Sequence, residues 1–439
     1  MSTGVGGRAC TPPRMSIARF IYSVLMLALV PVLLLRLRLR ARREPLYGLA
    51  VAERFGFYSM PTDAGKVWIH AVSLGETRAV QALVQALREG HPGIRFIFTH
   101  GTATGREQGL SLMQNGDLQM WQPWDTPFAV QRFLRHFQPR LGLLVDTEVW
   151  PNTIAEAKAH GVPLVLINGR LSARSLRKAM RWPSLSQPAF QGLHAIWAQT
   201  ADDAKRMEHL GARVQSVMGN LKFDAVPDAA LMHSGLAWRA AAPKPVVLLA
   251  ISREGEEAAL LKLLTDNPSY QRDVQWWLVP RHPQRFDAVA ALVLSAGLTL
   301  SRRSQWGALL PGQPVALPDD AVVLGDTMGE MPFYFGAASV CLLGGSFEPL
   351  GGQNLIEACA CACPVVMGPH TFNFTEAARL ALHSGAALRT ADLSEAVSQA
   401  HALAIDEEKC LRMAEAASSF ATQHQGAVQR CLLLLKPLL

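Results

Sequence analysis

The chain has 439 residues, beyond the size at which one hydrophobic core usually stops growing, so two domains are expected. A content of 49% hydrophobic and 18% charged residues is that of an ordinary globular protein and excludes a disordered or low-complexity chain. The net charge of +7 suggests a polyanion partner, but residues 1–43 hold eight Arg and no acidic residue and supply all of it; the remainder is close to neutral, which excludes a broad nucleic-acid surface.

From the N-terminus, Phe20 to Leu35 is a run of 16 residues without a charge, followed by Arg36, Arg38, Arg40, Arg42 and Arg43. It reads as an uncleaved membrane anchor, either spanning or interfacial, because no small-residue cleavage site is present. The arginines after it place the body in the cytoplasm, and Met15 is an alternative start that would remove Arg8 and Arg14.

The body then repeats one unit, an apolar strand run handing over to a helix through a short turn. Val67 to Val72 is the first run, ending at Ser73, Gly75 and Glu76. Ligands of parallel α/β sheets bind at the carboxyl ends of strands, so Glu76 is the candidate catalytic base. Ile94 to Thr99 ends in a Thr- and Gly-rich loop to Gly105 that reads equally as an anion loop or a plain turn. Leu141 to Val145 closes on Asp146 and Glu148, the second candidate carboxylate, beside Trp150. After the strand Pro163 to Asn168, Arg174, Arg177, Lys178 and Arg181 fall on one helical face, solvated or set against an anionic lipid surface. Gly219 to Asp224 carries Lys222, a candidate anion contact, and the alanine-rich stretch 225–244 reads as a linker with a helix.

The pattern restarts with the strand Val246 to Ile251 and a capped acidic turn, Ser252 to Glu257. Pro280, Arg281 and His282 follow the next strand, and Arg281 could hold a phosphate bidentately. Met328, Gly329 and Glu330 form another strand, glycine and carboxylate junction. Ser339 to Leu343 leads to a loop with four glycines and the helix start at Leu355, with Glu357 about one turn in, a nucleotide signal that is neither GxGxxG nor a P-loop. Seven cysteines, at 10, 341, 359, 361, 363, 410 and 431, match neither a disulfide framework nor a zinc knuckle, which points to a reduced cytoplasmic body with no metal. Leu411 to Leu435 reads as a helical tail.

Taken in order, HAVSLGE, TATG, TEVWPN, NGRLS, GNLKFD, PRHP, MGE, GGSFEPLGGQN with NLIE, and GPHTFNF resemble the 3-deoxy-D-manno-octulosonate (Kdo) transferases of lipopolysaccharide synthesis over roughly Leu49 to Glu376. The resemblance implies an α/β GT-B fold: an anchor with its basic flank at 1–43, Rossmann-like domains at 44–224 and 245–415 facing across a cleft, a linker at 225–244 and a C-terminal helix at 416–439. It implies transfer of Kdo from CMP-Kdo to a lipid A precursor (lipid IVA) at the cytoplasmic face of the inner membrane, inverting, with no metal or other cofactor and no nucleic-acid partner. Glu76 matches the family's proton acceptor, and Glu148 and Lys222 its transition-state stabilisers. Pro280 and Arg281, then Met328, Gly329 and Glu330, then Asn354, Leu355, Ile356 and Glu357 match its CMP-binding segments. The chain departs from the family at Gln353, usually His, and at Ile356, usually Pro. Two other readings compete: a nucleotide-sugar hydrolase or epimerase on the same fold, and a membrane-tethered scaffold without catalysis.

Overall fold

The structure, a computed structural model, describes residues 15–307, 317–318 and 320–439, so Arg8, Cys10 and Arg14 lie outside the described residues. The chain divides into two compact units, one reaching Asp224 and taking in Gly426–Leu439, the other Ala225–Gln425.

The first unit is built on seven parallel strands: β1 (Val67–His70), β2 (Phe96–His100), β3 (Leu118–Trp121), β4 (Leu141–Val145), β5 (Leu164–Gly169), β6 (Ala195–Ala198) and β7 (Val214–Val217). Their order is β3-β2-β1-β4-β5-β6-β7. Val67 pairs with Phe96 on one side and Leu141 on the other, so β1 is central and buried at every residue. Continuous apolar runs suit such strands because helices cover both faces. One face packs Val67, Ile69, Phe96, Phe98 and Leu143 under the helix Gln81–Gly90; the other packs Trp68, Ile97 and Leu144 against Val130, Phe133 and Phe137 of the helix Pro127–Phe137.

The second unit repeats the plan with β8 (Val246–Ser252), β9 (Gln275–Pro280), β10 (Thr299–Arg302), β11 (Ala321–Leu324), β12 (Val340–Leu343), β13 (Val365–Met367) and β14 (Ala387–Arg389), in the order β10-β11-β9-β8-β12-β13-β14. In both sheets the chain runs outward from a central strand to one edge, then returns to fill the other side, which creates a crevice at the carboxyl ends of the central strands.

Three features differ from the sequence reading. The stretch 225–244 holds the expected helix, Ala229–Ala241, but as part of the second unit and not as a linker: Trp238 is buried edge-on against Trp277 at 4.7 Å, and an Arg239 guanidinium N–H donates to the Ala338 carbonyl at 3.0 Å. The C-terminal tail is two helices, Glu407–Gln423 and Ala427–Leu435, broken at Gly426 with φ 96°. The second of these inserts Ala427, Val428, Cys431 and Leu435 into the core of the first unit, while both Asp224 carboxylate oxygens accept its opening amides, from Gly426 at 2.5 Å and Val428 at 2.6 Å. Finally, the basic helix is only Ala173–Ala179, so Arg181 falls beyond its end and the four-residue face shortens to Arg174, Arg177 and Lys178, all exposed.

Candidate active site

Ser73 caps the short helix Leu74–Ala79 in a capping box with Glu76: the serine hydroxyl accepts from the Glu76 amide at 3.4 Å and donates to Glu76 Oε1 at 3.0 Å. Glu76 Oε2 accepts from the Val72 amide at 2.6 Å. Burial pushes the Glu76 carboxyl up to about 7, helped by the negative charges of Asp146 and Glu148 and opposed by the Val72 and Ser73 hydrogen bonds. A carboxylate poised near neutrality is what a general base requires.

The two neighbours come from the β4 end. Asp146 sits at φ 63°, a left-handed conformation that Asp tolerates, and accepts from Asn168 Nδ2 at 2.5 Å and Gln199 Nε2 at 3.2 Å. Asn168, at φ 54° on β5, accepts through Oδ1 from the Leu221 amide at 3.0 Å. That bond fixes the turn Leu221–Asp224, which packs against the Glu76 helix and brings Lys222 to the same end of the sheet.

Glu148 is held oppositely to Glu76. Burial alone would raise its carboxyl, but the His70 ring 3.5 Å away and the Trp150 indole N–H at 2.7 Å outweigh burial and keep it below the usual range. The buried Thr99 hydroxyl accepts from the Trp68 indole at 2.8 Å and lies 2.7 Å from His70 Nδ1. An indole only donates, so the Thr99 proton is available to Nδ1, which leaves Nε2 able to carry a ring hydrogen towards Glu148. His70 and Thr99 were not singled out in the sequence; an apolar strand ending in His is the only local signal. His70→Phe is expected to lower kcat roughly ten- to hundredfold, the worth of a hydrogen bond to a charged group, with KM little changed. Steady-state kinetics check this, and His70→Gln should recover part of the loss by restoring a donor.

The Thr- and Gly-rich loop is structural. Thr102 caps the helix Ala103–Leu110 and donates to the Val72 carbonyl, and a Cβ at Gly105 would meet that same oxygen at 2.9 Å. Its hydroxyls and glycines hold the Glu76 loop in place.

In the second unit, Gly345 donates to both oxygens of Glu256 at 2.8 and 2.9 Å, and the Arg253 amide donates to Glu256 at 2.8 Å. Glu257 takes Ser252 Oγ at 2.6 Å and a bidentate Arg285 at 2.8 and 3.1 Å. Glu256 and Glu257 fall in the first turn of the helix Glu256–Asp266 as expected, with Gly255 in place of the serine as the cap, and Glu256 also buttresses the glycine loop. The backbone is strained where this loop meets β8: Ile251, β-branched, sits at φ 56° with its carbonyl 2.5 Å from where a Cβ on Gly344 would lie.

The expected nucleotide residues distribute as follows. Pro280 is the buried last residue of β9, and the Arg281 amide donates to the Ser252 carbonyl at 3.0 Å. Burial, then Arg253, Arg281 and Arg285, lower the His282 imidazole, so three guanidiniums concentrate positive potential at the β8 and β9 ends. Arg253 and Arg285 were missed; three Arg within a few residues of adjacent strand ends was the available signal. Met328 is exposed, Gly329 is at φ 82°, and Glu330 pairs with Arg303 at 2.8 Å. Asn354 caps the six-residue helix Leu355–Ala360 by accepting from the Ile356 amide at 3.2 Å. Leu355 and Ile356 are buried, so their side chains face the core, whereas Glu357 is half-buried. Proline at 356 would simply remove an amide that Asn354 satisfies here, which accommodates that departure. Gln353 lies over the loop, its Nε2 3.2 Å from where a Gly345 Cβ would stand.

Among the described residues no group of three His, Cys, Asp or Glu is placed to hold a metal, and Cys359, Cys361 and Cys363 are buried with thiols pushed up by burial.

Two doubly wound parallel sheets, with acidic residues at the strand ends of one and a glycine loop and clustered arginines at the strand ends of the other, define a GT-B type enzyme. Solved structures agree on the fold: S. aureus MnaA with UDP (TM-score 0.55, 14% identity, 85% of this chain and 96% of that one) and a glycosyltransferase from Rickettsia africae (TM-score 0.55, 11% identity, 85% and 98%). The family described as 3-Deoxy-D-manno-octulosonic-acid transferase (kdotransferase) matches residues 50–225. A 3-deoxy-D-manno-octulosonic acid transferase of Bordetella pertussis is 44% identical over 94% of this chain and 98% of its own length, and one of Haemophilus influenzae is 33% identical over 96% and 99%. The chain belongs to the 3-deoxy-D-manno-octulosonic acid transferase family.

Proposed function

We propose that this glycosyltransferase moves Kdo from CMP-Kdo to the lipid A precursor lipid IVA at the cytoplasmic face of the inner membrane, in one inverting displacement that uses no metal or other cofactor. The observation that carries the chemistry is Glu76, a buried carboxyl raised to about 7 at the end of a central strand. The acceptor hydroxyl oxygen attacks the anomeric carbon of Kdo, its proton passes to Glu76, and the bond from that carbon to the CMP phosphate oxygen breaks with its electron pair leaving on the phosphate.

The acceptor, carbon and leaving group acquire partial charges that fixed groups stabilise more than mobile water does. Glu148, ionised through His70 and Trp150, favours positive charge developing on the sugar ring. Lys222 suits the donor's carboxylate. In the second unit Arg281 and the guanidiniums around His282 suit the phosphodiester, with Met328, Gly329, Glu330, Asn354 and Glu357 around the nucleoside.

Incubation with CMP-Kdo and tetraacylated lipid A precursor, followed by product mass, tests this reading. A gain of whole Kdo units is expected. CMP release at the same rate without any lipid acceptor would instead mark a nucleotide-sugar hydrolase.

A further inference from the structure

By composition the helix Ile17–Ala41, with mean hydropathy 2.3 over its most apolar 18 residues, is long and apolar enough to cross a membrane. Its attachments oppose that. At its start an Arg19 guanidinium N–H donates to Glu156 Oε1 at 2.6 Å, the Tyr22 hydroxyl donates to Asp125 Oδ2 at 2.9 Å, and Ser23 Oγ lies 3.0 Å from Asn152 Oδ1. These partners are buried in the body: Asn152 and Glu156 are on the helix Pro151–Ala159, and Asp125 accepts the amides of Asn152 and Thr153. At the other end Leu37 and Ala41 pack on Tyr47, Ala103 and Trp121, and the Arg40 guanidinium stands 5.4 Å from the Tyr47 ring.

Between the ends, the less exposed positions are Met26, Val30, Leu33, Leu34 and Leu37, a three- and four-residue spacing that traces one helical face. The helix is therefore fastened to the first unit at both ends, through Arg19, Tyr22 and Ser23 at one and Leu37 and Ala41 at the other, along a length of about 37 Å. Phe20, Ile21, Val24, Leu25, Val32 and Leu35 are exposed on its remaining surface, followed by the exposed Arg36, Arg38, Arg40, Arg42 and Arg43.

We propose that this helix is an in-plane membrane helix, clasped to the body by the Arg19, Tyr22 and Ser23 contacts and lying in the headgroup layer of an anionic bilayer without crossing it. The proposal rests on the membrane reading given under Proposed function. A helix crossing about 30 Å of hydrocarbon with these contacts intact would draw Asp125, Asn152 and Glu156 in with it, and buried polar groups on a soluble body do not enter lipid. In the plane, the outer apolar side chains reach the acyl boundary while the arginines meet anionic headgroups. Ala103, against which the helix ends, opens the helix Ala103–Leu110, which packs on the helix carrying Glu76. The bilayer surface is thus one helix away from the proposed base.

The test uses the full chain with an epitope tag before Met1, expressed in a Gram-negative host. Protease added to spheroplasts should leave the tag intact, and protease added to inverted inner-membrane vesicles should remove it; removal from spheroplasts overturns the proposal. Independently, Ser23→Cys with Asn152→Cys, oxidised in membranes, should yield a linked peptide pair by mass spectrometry, and its absence in protein that still transfers Kdo would also overturn it. Protein that fails to sediment with anionic vesicles defeats the membrane reading itself, a separate outcome from a tag found on the outer face.

Discussion

Glu76→Gln is expected to lower kcat by about 10²- to 10⁴-fold, the usual worth of a general base. Glutamine serves a capping box as glutamate does, so the helix Leu74–Ala79 keeps its start and the loss reports chemistry alone. In the unsubstituted enzyme kcat/KM should rise with pH along a limb centred near 7, and that limb should vanish in the variant. Stability moves the other way. The folded carboxyl is raised from 4.5 to about 7, so between those values the folded state binds more protons than the unfolded one and stability falls as pH rises through the window. Glutamine has nothing to ionise, so the variant should melt higher than the parent at pH 8 and at the same temperature near pH 4. A variant with full activity and unchanged melting at pH 8 would remove Glu76 from the mechanism.

Gly235→Val should be among the most damaging small substitutions in the second unit. A Cβ there would stand 2.3 Å from the Phe333 carbonyl oxygen, 2.8 Å from the Ala337 nitrogen and 3.0 Å from the Gly336 Cα, all backbone atoms. No rotamer relieves such a clash, so the helices Ala229–Ala241 and Met331–Ala337 must separate and the Trp238 and Trp277 contact opens. A cost of about 3 kcal/mol, at the upper end for overpacking, corresponds to a Tm lower by roughly 6–12 °C in a unit of this size. Calorimetry should show that shift in the transition of the second unit. An unshifted transition would mean that residues 225–244 do act as a connector.

The central strands were legible because parallel strands covered on both faces read as near-continuous apolar runs, as Val67–His70 and Val246–Ser252 do up to their polar last residues. Three strands escaped notice, Leu118–Trp121, Thr299–Arg302 and Ala387–Arg389, and all three are sheet edges, half open to solvent and only three or four residues long. The placement of Glu76 and Glu148 at strand ends was legible in the sequence, and the roles proposed for them and for Lys222 come from the family resemblance. The groups that hold them were not legible: the His70 ring beside Glu148 is itself held by Thr99, which Trp68 bonds in turn, and Lys222 arrives through Asn168, 53 residues from Leu221. The same limit hid the Arg19 and Glu156 pair, 137 residues apart. Local pattern reports what an element is, whereas the partner of a polar side chain is settled only when distant segments meet.

The helix Ala427–Leu435 completes the core of the first unit, yet roughly 200 residues of the second unit are synthesised before it. At the rate of translation that interval is on the order of 10–40 s. Throughout it the helix Gln81–Gly90 and the turn Leu221–Asp224 lack the cover of the helix Ala427–Leu435, whose Val428 and Leu435 are each worth about 1.5–3 kcal/mol when buried. The unit that emerges first from the ribosome is therefore the last to be finished, and Asp224 waits for the amides of Gly426 and Val428 to close it. For that period the nascent chain presents an open apolar face, a natural client for chaperones.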